Sequence, residues 1–177
     1  SSGLRPSKTI GRFHEPSPSE IALLQYTSGS TSSPKGVQIT YGNLDHQLAL
    51  NRTCLGLSEA SRSVLWVPQY HDFGLISGIL SAAWGNGHLY MMSPLTFLRS
   101  PQLWMELISR VKATHAPAPN FSFGLVLRKT TAEQRRLWDL SSSVRLNLWF
   151  VTAIFRVNRR FHEIGRFRCL SGTFIGF

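Results

Sequence analysis

The stretch from Thr27 to Gly36 constrains this chain more than any other. It reads Thr-Ser-Gly-Ser-Thr-Ser-Ser-Pro-Lys-Gly and lies between two runs of β-formers. Upstream, Ile21 to Tyr26 is an apolar run of strand length. Downstream, Val37, Ile39 and Tyr41 alternate with polar residues, the period of a half-buried strand. The segment between is too small, polar and Gly/Pro-marked to be an element, so the local expectation is strand, loop, strand. Ser and Thr hydroxyls and unencumbered backbone N–H groups donate hydrogen bonds to phosphate oxygens. Glycine allows close approach, and Lys35 supplies a positive point charge. A loop leaving a strand can aim these groups outward. A flexible Ser/Thr linker is the bland alternative, but Pro34-Lys35-Gly36 between strand-like runs argues against it. The P-loop of NTPases is excluded too: its Lys follows a Gly and precedes a Ser or Thr, whereas Lys35 follows Pro34 and precedes Gly36.

Further along, strand-like and helical patterns alternate. Asn43 can cap a helix, and Leu44, Leu48 and Leu55 share one helical face. Ser63–Val67 reads as a buried strand, residues 68–74 as a loop, residues 75–84 as a helix and residues 88–92 as another strand. Ser100-Pro101 is a helix start. Residues 113–116 read as a strand, residues 121–130 as a helix, and residues 131–138 as a second helix opened by a Thr131/Gln134 capping box. Residues 144–150 read as strand-like. The alternation predicts an α/β fold with a mixed, mostly parallel sheet flanked by helices.

Composition narrows the function classes. Hydrophobic residues make up 42% and charged residues 16% of 177 residues, with 11 Phe and 5 Trp, which supports a real core. No apolar run reaches the roughly 18–20 residues of a membrane span. Residues 1–18 are Pro/Ser-rich without an apolar core, so they are not a secretory signal. The missing initiator Met predicts a start inside a longer protein. Cys54 and Cys169 are far apart and form no Cys-x-x-Cys pair, so the expectation is buried or incidental thiols in a reducing, cytoplasmic compartment. The net charge of +10 raises a nucleic-acid reading. Much of the excess, however, sits in Arg156, Arg159, Arg160, Arg166 and Arg168, and elsewhere no basic run exceeds a dipeptide. The expectation is therefore no nucleic-acid partner. The spacing of His46, His88 and His115 suggests no metal site, and they read as surface or edge histidines. Nothing in the sequence sets an oligomeric state.

Tyr26-Thr27-Ser28-Gly29-Ser30-Thr31 followed by Pro34-Lys35-Gly36-Val37 resembles the signature of the adenylate-forming superfamily, which includes acyl-CoA synthetases, fatty acyl-AMP ligases and non-ribosomal peptide adenylation domains. The run from Trp66 through His71-Asp72-Phe73-Gly74 to Ile76 is most similar to fatty acyl-AMP ligases. So are Met92-Ser93-Pro94, Phe97-Leu98, Pro101 with Trp104, and Ala118-Pro119-Asn120-Phe121. Together the matches cover residues 20 to 146. The resemblance implies part of the N-terminal large domain of that fold over residues 20–150. Residues 1–19 would be a linker or cut edge, and residues 151–177 a disturbed continuation. It implies that ATP and Mg2+ activate a fatty acid as acyl-adenylate, for transfer to an acyl carrier protein thiol. A long-chain acyl-CoA synthetase piece, with CoA as acceptor, and a non-catalytic nucleotide-binding module are the alternatives.

The resemblance also assigns roles. Thr27, Ser28, Gly29, Ser30, Thr31, Lys35 and Gly36 would hold the nucleotide phosphates, with Lys35 neutralising the leaving pyrophosphate. Read alone, His71-Asp72 is either an active-site pair or a loop cap. The resemblance puts His71 against the carboxylate and α-phosphate as a catalytic residue, and places Asp72, Phe73, Asn120 and Phe121 near the substrate. Phe121 and Phe123 read as core by default, with acyl-chain lining as the alternative. The small residues Gly74, Gly78, Ser81, Ala82 and Ala83 leave room for an acyl chain or pack tightly, and packing is the commoner cause. After Leu146 the resemblance lapses. The family's Tyr-Gly-x-x-Glu segment, its ribose-binding Asp and its C-terminal domain with a catalytic Lys are not found, and no metal ligand is assigned. The expectation is a truncated piece, inactive by itself.

Overall fold

The computed structural model describes residues 14–27 and 35–142, which divide into two compact units within one helix, at His46/Gln47. The strand-like reading of residues 144–150, the disturbed continuation from 151, and Cys169 lie outside the described residues.

In the first unit, β1 (Ile21–Thr27) and β2 (Lys35–Thr40) form an antiparallel pair with Thr27 opposite Lys35, Tyr26 opposite Gly36 and Leu24 opposite Gln38. The strand–loop–strand expectation is met as a hairpin. A side chain on Gly36 would meet the Tyr26 ring at 3.3 Å, so glycine lets the cross-strand aromatic lie flat over the ladder. A turn precedes β1: the Glu20 N–H donates to Ser17 O, and the Glu20 carboxylate accepts from the Ser17 N–H at 2.9 Å and pairs with His14 Nε2 at 2.8 Å. Both contacts hold the Glu20 carboxyl below its ordinary pKa, His14 most. Helix α1 (Tyr41–Leu55) follows β2 directly. The expected cap was Asn43, but Thr40 fills that place. Thr40 Oγ1 accepts from the Asn43 N–H at 3.2 Å, and Asn43 Oδ1 accepts from the Thr40 N–H at 3.1 Å. This is the reciprocal arrangement of a capping box with Asn in the third position.

In the second unit, β3 (Arg62–Leu65) and β4 (His88–Met91) run parallel, Arg62 opposite His88 and Leu65 opposite Met91. On the other edge of β3, Ser63 bridges His115 in parallel, with the Val64 N–H donating to His115 O at 2.9 Å. The strand expected at 113–116 is this single bridge. The described strands thus comprise one antiparallel and one parallel pair. A helix crosses between β3 and β4. Its first part, Phe73–Leu80, is wound as a π-helix, and it continues as α2 (Ser81–Trp84). Helix α3 (Pro94–Arg99) was not anticipated, although Ser93-Pro94 carries the same start signal as Ser100-Pro101. Helix α4 (Gln102–Val111) ends at Lys112 in the left-handed region, φ 51°. Helices α5 (Phe121–Lys129) and α6 (Ala132–Arg136) follow, and α6 carries the expected Thr131/Gln134 capping box.

Aromatic rings join these elements. Trp66 stacks on Phe97 at 3.9 Å, Phe97 meets Trp104 edge-on at 5.6 Å, and Trp104 packs on Phe123 at 5.4 Å. Val64, Leu65, Met105, Ile108 and Val126 complete a solvent-excluded core. Phe123 therefore belongs to the core. His115, expected at the surface or at an edge, sits in the edge bridge but is buried: it is 4% exposed, and its Nε2 donates to Leu55 O at 2.8 Å. Burial demands such a partner, and this one is a carbonyl at the far end of α1. Cys54, expected to be buried or incidental, is exposed on α1. No described helix is long and apolar enough to cross a membrane.

Candidate nucleotide and substrate site

The sequence-assigned residues fall in both units. In the first, Thr27 and Lys35 face each other across the last rung of the hairpin, so the loop that joins them has a fixed base. Gly36 is the next rung. Ser28, Gly29, Ser30 and Thr31 lie outside the described residues.

In the second unit, the chain leaves the carboxyl end of β3 and turns through residues 66–72. Ligands of parallel α/β sheets bind beyond the carboxyl ends of strands, and His71-Asp72 occupies that position. The turn is tight. The His71 N–H donates to Pro68 O at 3.2 Å, and the Leu75 N–H donates to His71 O at 2.9 Å. A Cβ on Gly74 would sit 2.1 Å from Pro68 O, a collision no side chain avoids. Glycine at 74 is thus dictated by the turn that carries His71. Asp72 caps the π-helix, its Oδ1 accepting from the Phe73 N–H at 2.6 Å. The same oxygen lies 2.5 Å from His71 Nδ1. The Phe73 N–H also approaches His71 Nδ1 at 3.3 Å, so this one amide ties both side chains to the turn and Nε2 is directed away from Asp72. Both side chains are more than half exposed.

Phe73 is buried, at 9% exposure, and joins the core. Phe121 is 55% exposed at the start of α5, its ring edge-on to Trp66 at 5.8 Å. Asn120 occupies the N-cap position of α5 without a side-chain capping bond. The small-residue face resolves toward packing at two positions: Gly74 meets the Pro68 backbone, and a Cβ on Gly78 would reach Leu65 Cδ2 at 2.4 Å.

Reading by motif missed a buried polar pair behind this turn. Asn51, 1% exposed, donates from Nδ2 to Ser81 Oγ at 3.0 Å. The available signal was a polar residue on the Leu48/Leu55 face of α1.

A family model for the AMP-binding enzyme matches residues 4–167. The chain belongs to the AMP-binding enzyme family. Among relatives of this AMP-binding chain, a medium-chain-fatty-acid–[acyl-carrier-protein] ligase, JamA, from Moorena producens is 45% identical over 69% of this chain and 21% of its own. A 4-hydroxyphenylalkanoate adenylyltransferase from Mycobacterium tuberculosis is 40% identical over 86% of this chain and 25% of its own. The crystal structure of a fatty acid AMP ligase from Legionella pneumophila superposes with a TM-score of 0.71 at 37% identity, covering 75% of this chain and 23% of that one. The fold is therefore the α/β fold of adenylate-forming enzymes, in part. The chain spans about a quarter or less of the length of these relatives.

Among the described residues, no three His, Cys, Asp or Glu side chains gather to hold a metal ion. Mg2+ accompanying ATP keeps water and phosphate oxygens as ligands and needs few protein ones.

Proposed function

We propose that this chain supplies the phosphate-gripping hairpin and the carboxylate-facing turn of an enzyme that activates a fatty acid with ATP. A fatty carboxylate oxygen attacks the α-phosphate. One P–O bond forms, the bond to the β-phosphate breaks, and acyl-adenylate and pyrophosphate result. The acyl group then passes to the thiol of an acyl carrier protein: the C–S bond forms, the bond from the acyl carbon to the phosphate oxygen breaks, and AMP leaves with the thiol proton lost to solvent. The ligase similar to this chain at 45% identity carries that acceptor in its name, which favours a carrier protein over CoA. ATP and carrier thiols suit a cytoplasmic setting.

The observation that carries the proposal is the hairpin register, which pins Thr27 opposite Lys35 at the mouth of the hydroxyl-rich loop. Negative charge moves onto the pyrophosphate oxygens as the bond breaks, so donors fixed in advance lower the barrier. In this reading Thr27, Ser28, Ser30, Thr31 and the amides of Gly29 and Gly36 hold the β- and γ-phosphates, and Lys35 balances the leaving charge. ATP brings Mg2+, which shields the phosphate charge. His71, oriented by Asp72, presents Nε2 to the carboxylate and α-phosphate. Asn120 and Phe121 flank the substrate, and Phe73 anchors the turn from beneath.

The test is calorimetric titration of the 177-residue chain with pyrophosphate and with ATP. Binding should weaken on the order of tenfold or more in Lys35→Ala, the scale of one charge-assisted hydrogen bond. Binding that ignores Lys35, or salt-sensitive binding to duplex DNA in its place, refutes the proposal. The polypeptide alone should show no ATP–pyrophosphate exchange with fatty acids.

A further inference from the structure

The helix that follows His71-Asp72 is wound with an unusual register, and Ser81 closes its last turn with two bonds. In an α-helix the Ile76 carbonyl would accept from the N–H four residues on, that of Leu80. Here it accepts from the Ser81 N–H, five residues on, and also from Ser81 Oγ at 2.8 Å. Both donors of one residue converge on one carbonyl. Ser81 is 3% exposed, so its hydroxyl cannot turn to water. Asn51 Nδ2 donates to that hydroxyl oxygen at 3.0 Å, and Gln47 Nε2 donates to Asn51 Oδ1 at 2.8 Å. The direction of each bond is fixed. An amide N–H occupies a lone pair of the Ser81 oxygen, and the Ser81 proton is left to point at Ile76 O.

The far end of this helix is the candidate site. Asp72 is its cap, and His71 precedes it. Two glycines leave little play: Gly78 is pressed on Leu65 and Gly74 on Pro68. Rewinding Phe73–Leu80 to the α register would change the angle between successive residues and carry Asp72 around the axis. Phe73 and Gly78 could then no longer both face the core. π-Segments cost hydrogen-bond geometry and persist where something holds them, often beside functional sites.

We infer that Asn51 and Ser81 are positioning residues that set the direction of the His71–Asp72 pair by holding the π register, with Gln47 orienting Asn51. The role rests on the proposed adenylation site. It assigns neither residue to the chemistry, since nothing places them against substrate.

Asn51→Asp is nearly isosteric and reverses the bond. A carboxylate accepts, so the Ser81 proton is drawn from Ile76 O to residue 51. The readouts are the amide resonances of Asp72 and Phe73 and the imidazole resonances of His71, with affinity for a decanoyl sulfamoyl-adenosine mimic of acyl-adenylate. Folded Asn51→Asp and Ser81→Ala chains should both displace those resonances and weaken the mimic on the order of tenfold, as misdirected site groups do. Ser81→Thr, which keeps the hydroxyl, should restore both. If Asn51→Asp does not fold, the Ser81→Ala and Ser81→Thr pair decides alone. Resonances unmoved in folded Ser81→Ala overturn the inference, because a merely structural serine would lower the melting temperature and leave His71 in place. Failure of the unaltered chain to bind the mimic refutes the adenylation reading instead, and the resonances still judge the clamp.

Discussion

The two units hold their candidate site residues by different means. The hairpin rests on its backbone ladder: Ile21, Leu24 and Val37 are about half exposed, and Tyr26 is 64% exposed. The second unit is built on Trp104, Phe97, Met105 and Ile108, each fully excluded from solvent. Loops that must meet a ligand belong to the less stable parts of a fold, and rigid elements orient the groups that need precise direction. The proposed phosphate grip would thus be carried on a light frame, while His71-Asp72 is braced from behind by packed side chains.

Substitutions can test this contrast. Trp104→Ala should cost about 3–5 kcal/mol, the range for truncating a large buried aromatic, in chemical denaturation followed by fluorescence of the remaining tryptophans. A loss under about 1 kcal/mol would mean the aromatic stack is not the core. Gly74→Ala ranks next, at about 1–3 kcal/mol for forcing atoms into filled space. It should also displace the His71 resonances, because the backbone of the turn has to move. Thr131→Ala, which removes one half of the α6 capping box, should cost about 1 kcal/mol. Val37→Thr in the hairpin should stay within about 0.5 kcal/mol, as exposed positions do. β1–β2 amides should exchange with deuterium faster than those of β3. Equal protection in both strands would remove the distinction.

What the sequence revealed follows the same line. The hairpin was legible because its signals are local: alternation on each side and a hydroxyl-Gly-Lys run between. The α6 cap was legible because a capping box spans only four residues. Ser100-Pro101 marks α4, and the same signal stands at Ser93-Pro94 before α3. The π register was not legible. It depends on Asn51, thirty residues from Ser81, and no window around Phe73–Leu80 contains that partner. The burial of His115 was hidden for the same reason, since its acceptor is Leu55 O, sixty residues away. At the candidate site, residue identity pointed to His71-Asp72, and the need for Gly74 emerged only when the Pro68 carbonyl was placed against it. Phe121 and Phe123 looked alike in sequence, but one is half exposed and the other is core.

The smallest expected effect concerns acid. Lys112, at the left-handed end of α4, pairs with Asp139. The Lys112 ammonium, then the Ser141 hydroxyl and N–H, hold the Asp139 carboxyl far below the ordinary carboxylate range. The folded pKa is depressed, so the unfolded chain binds the proton more readily. The pair therefore stabilises the fold above the unfolded value of about 4 and loses that contribution as pH falls toward the folded one. Both side chains are half exposed, so salt and water screen the pair. The melting temperature of the unaltered chain should therefore fall slightly more than that of Asp139→Asn between pH 5 and pH 3, and the difference should shrink in high salt. Because α4 also carries Trp104 and Ile108, this surface pair acts on the braced unit. Lys35→Ala, in the hairpin, should leave the acid profile unchanged, and parallel profiles for the unaltered chain and Asp139→Asn would show that the pair adds nothing to the core it fastens.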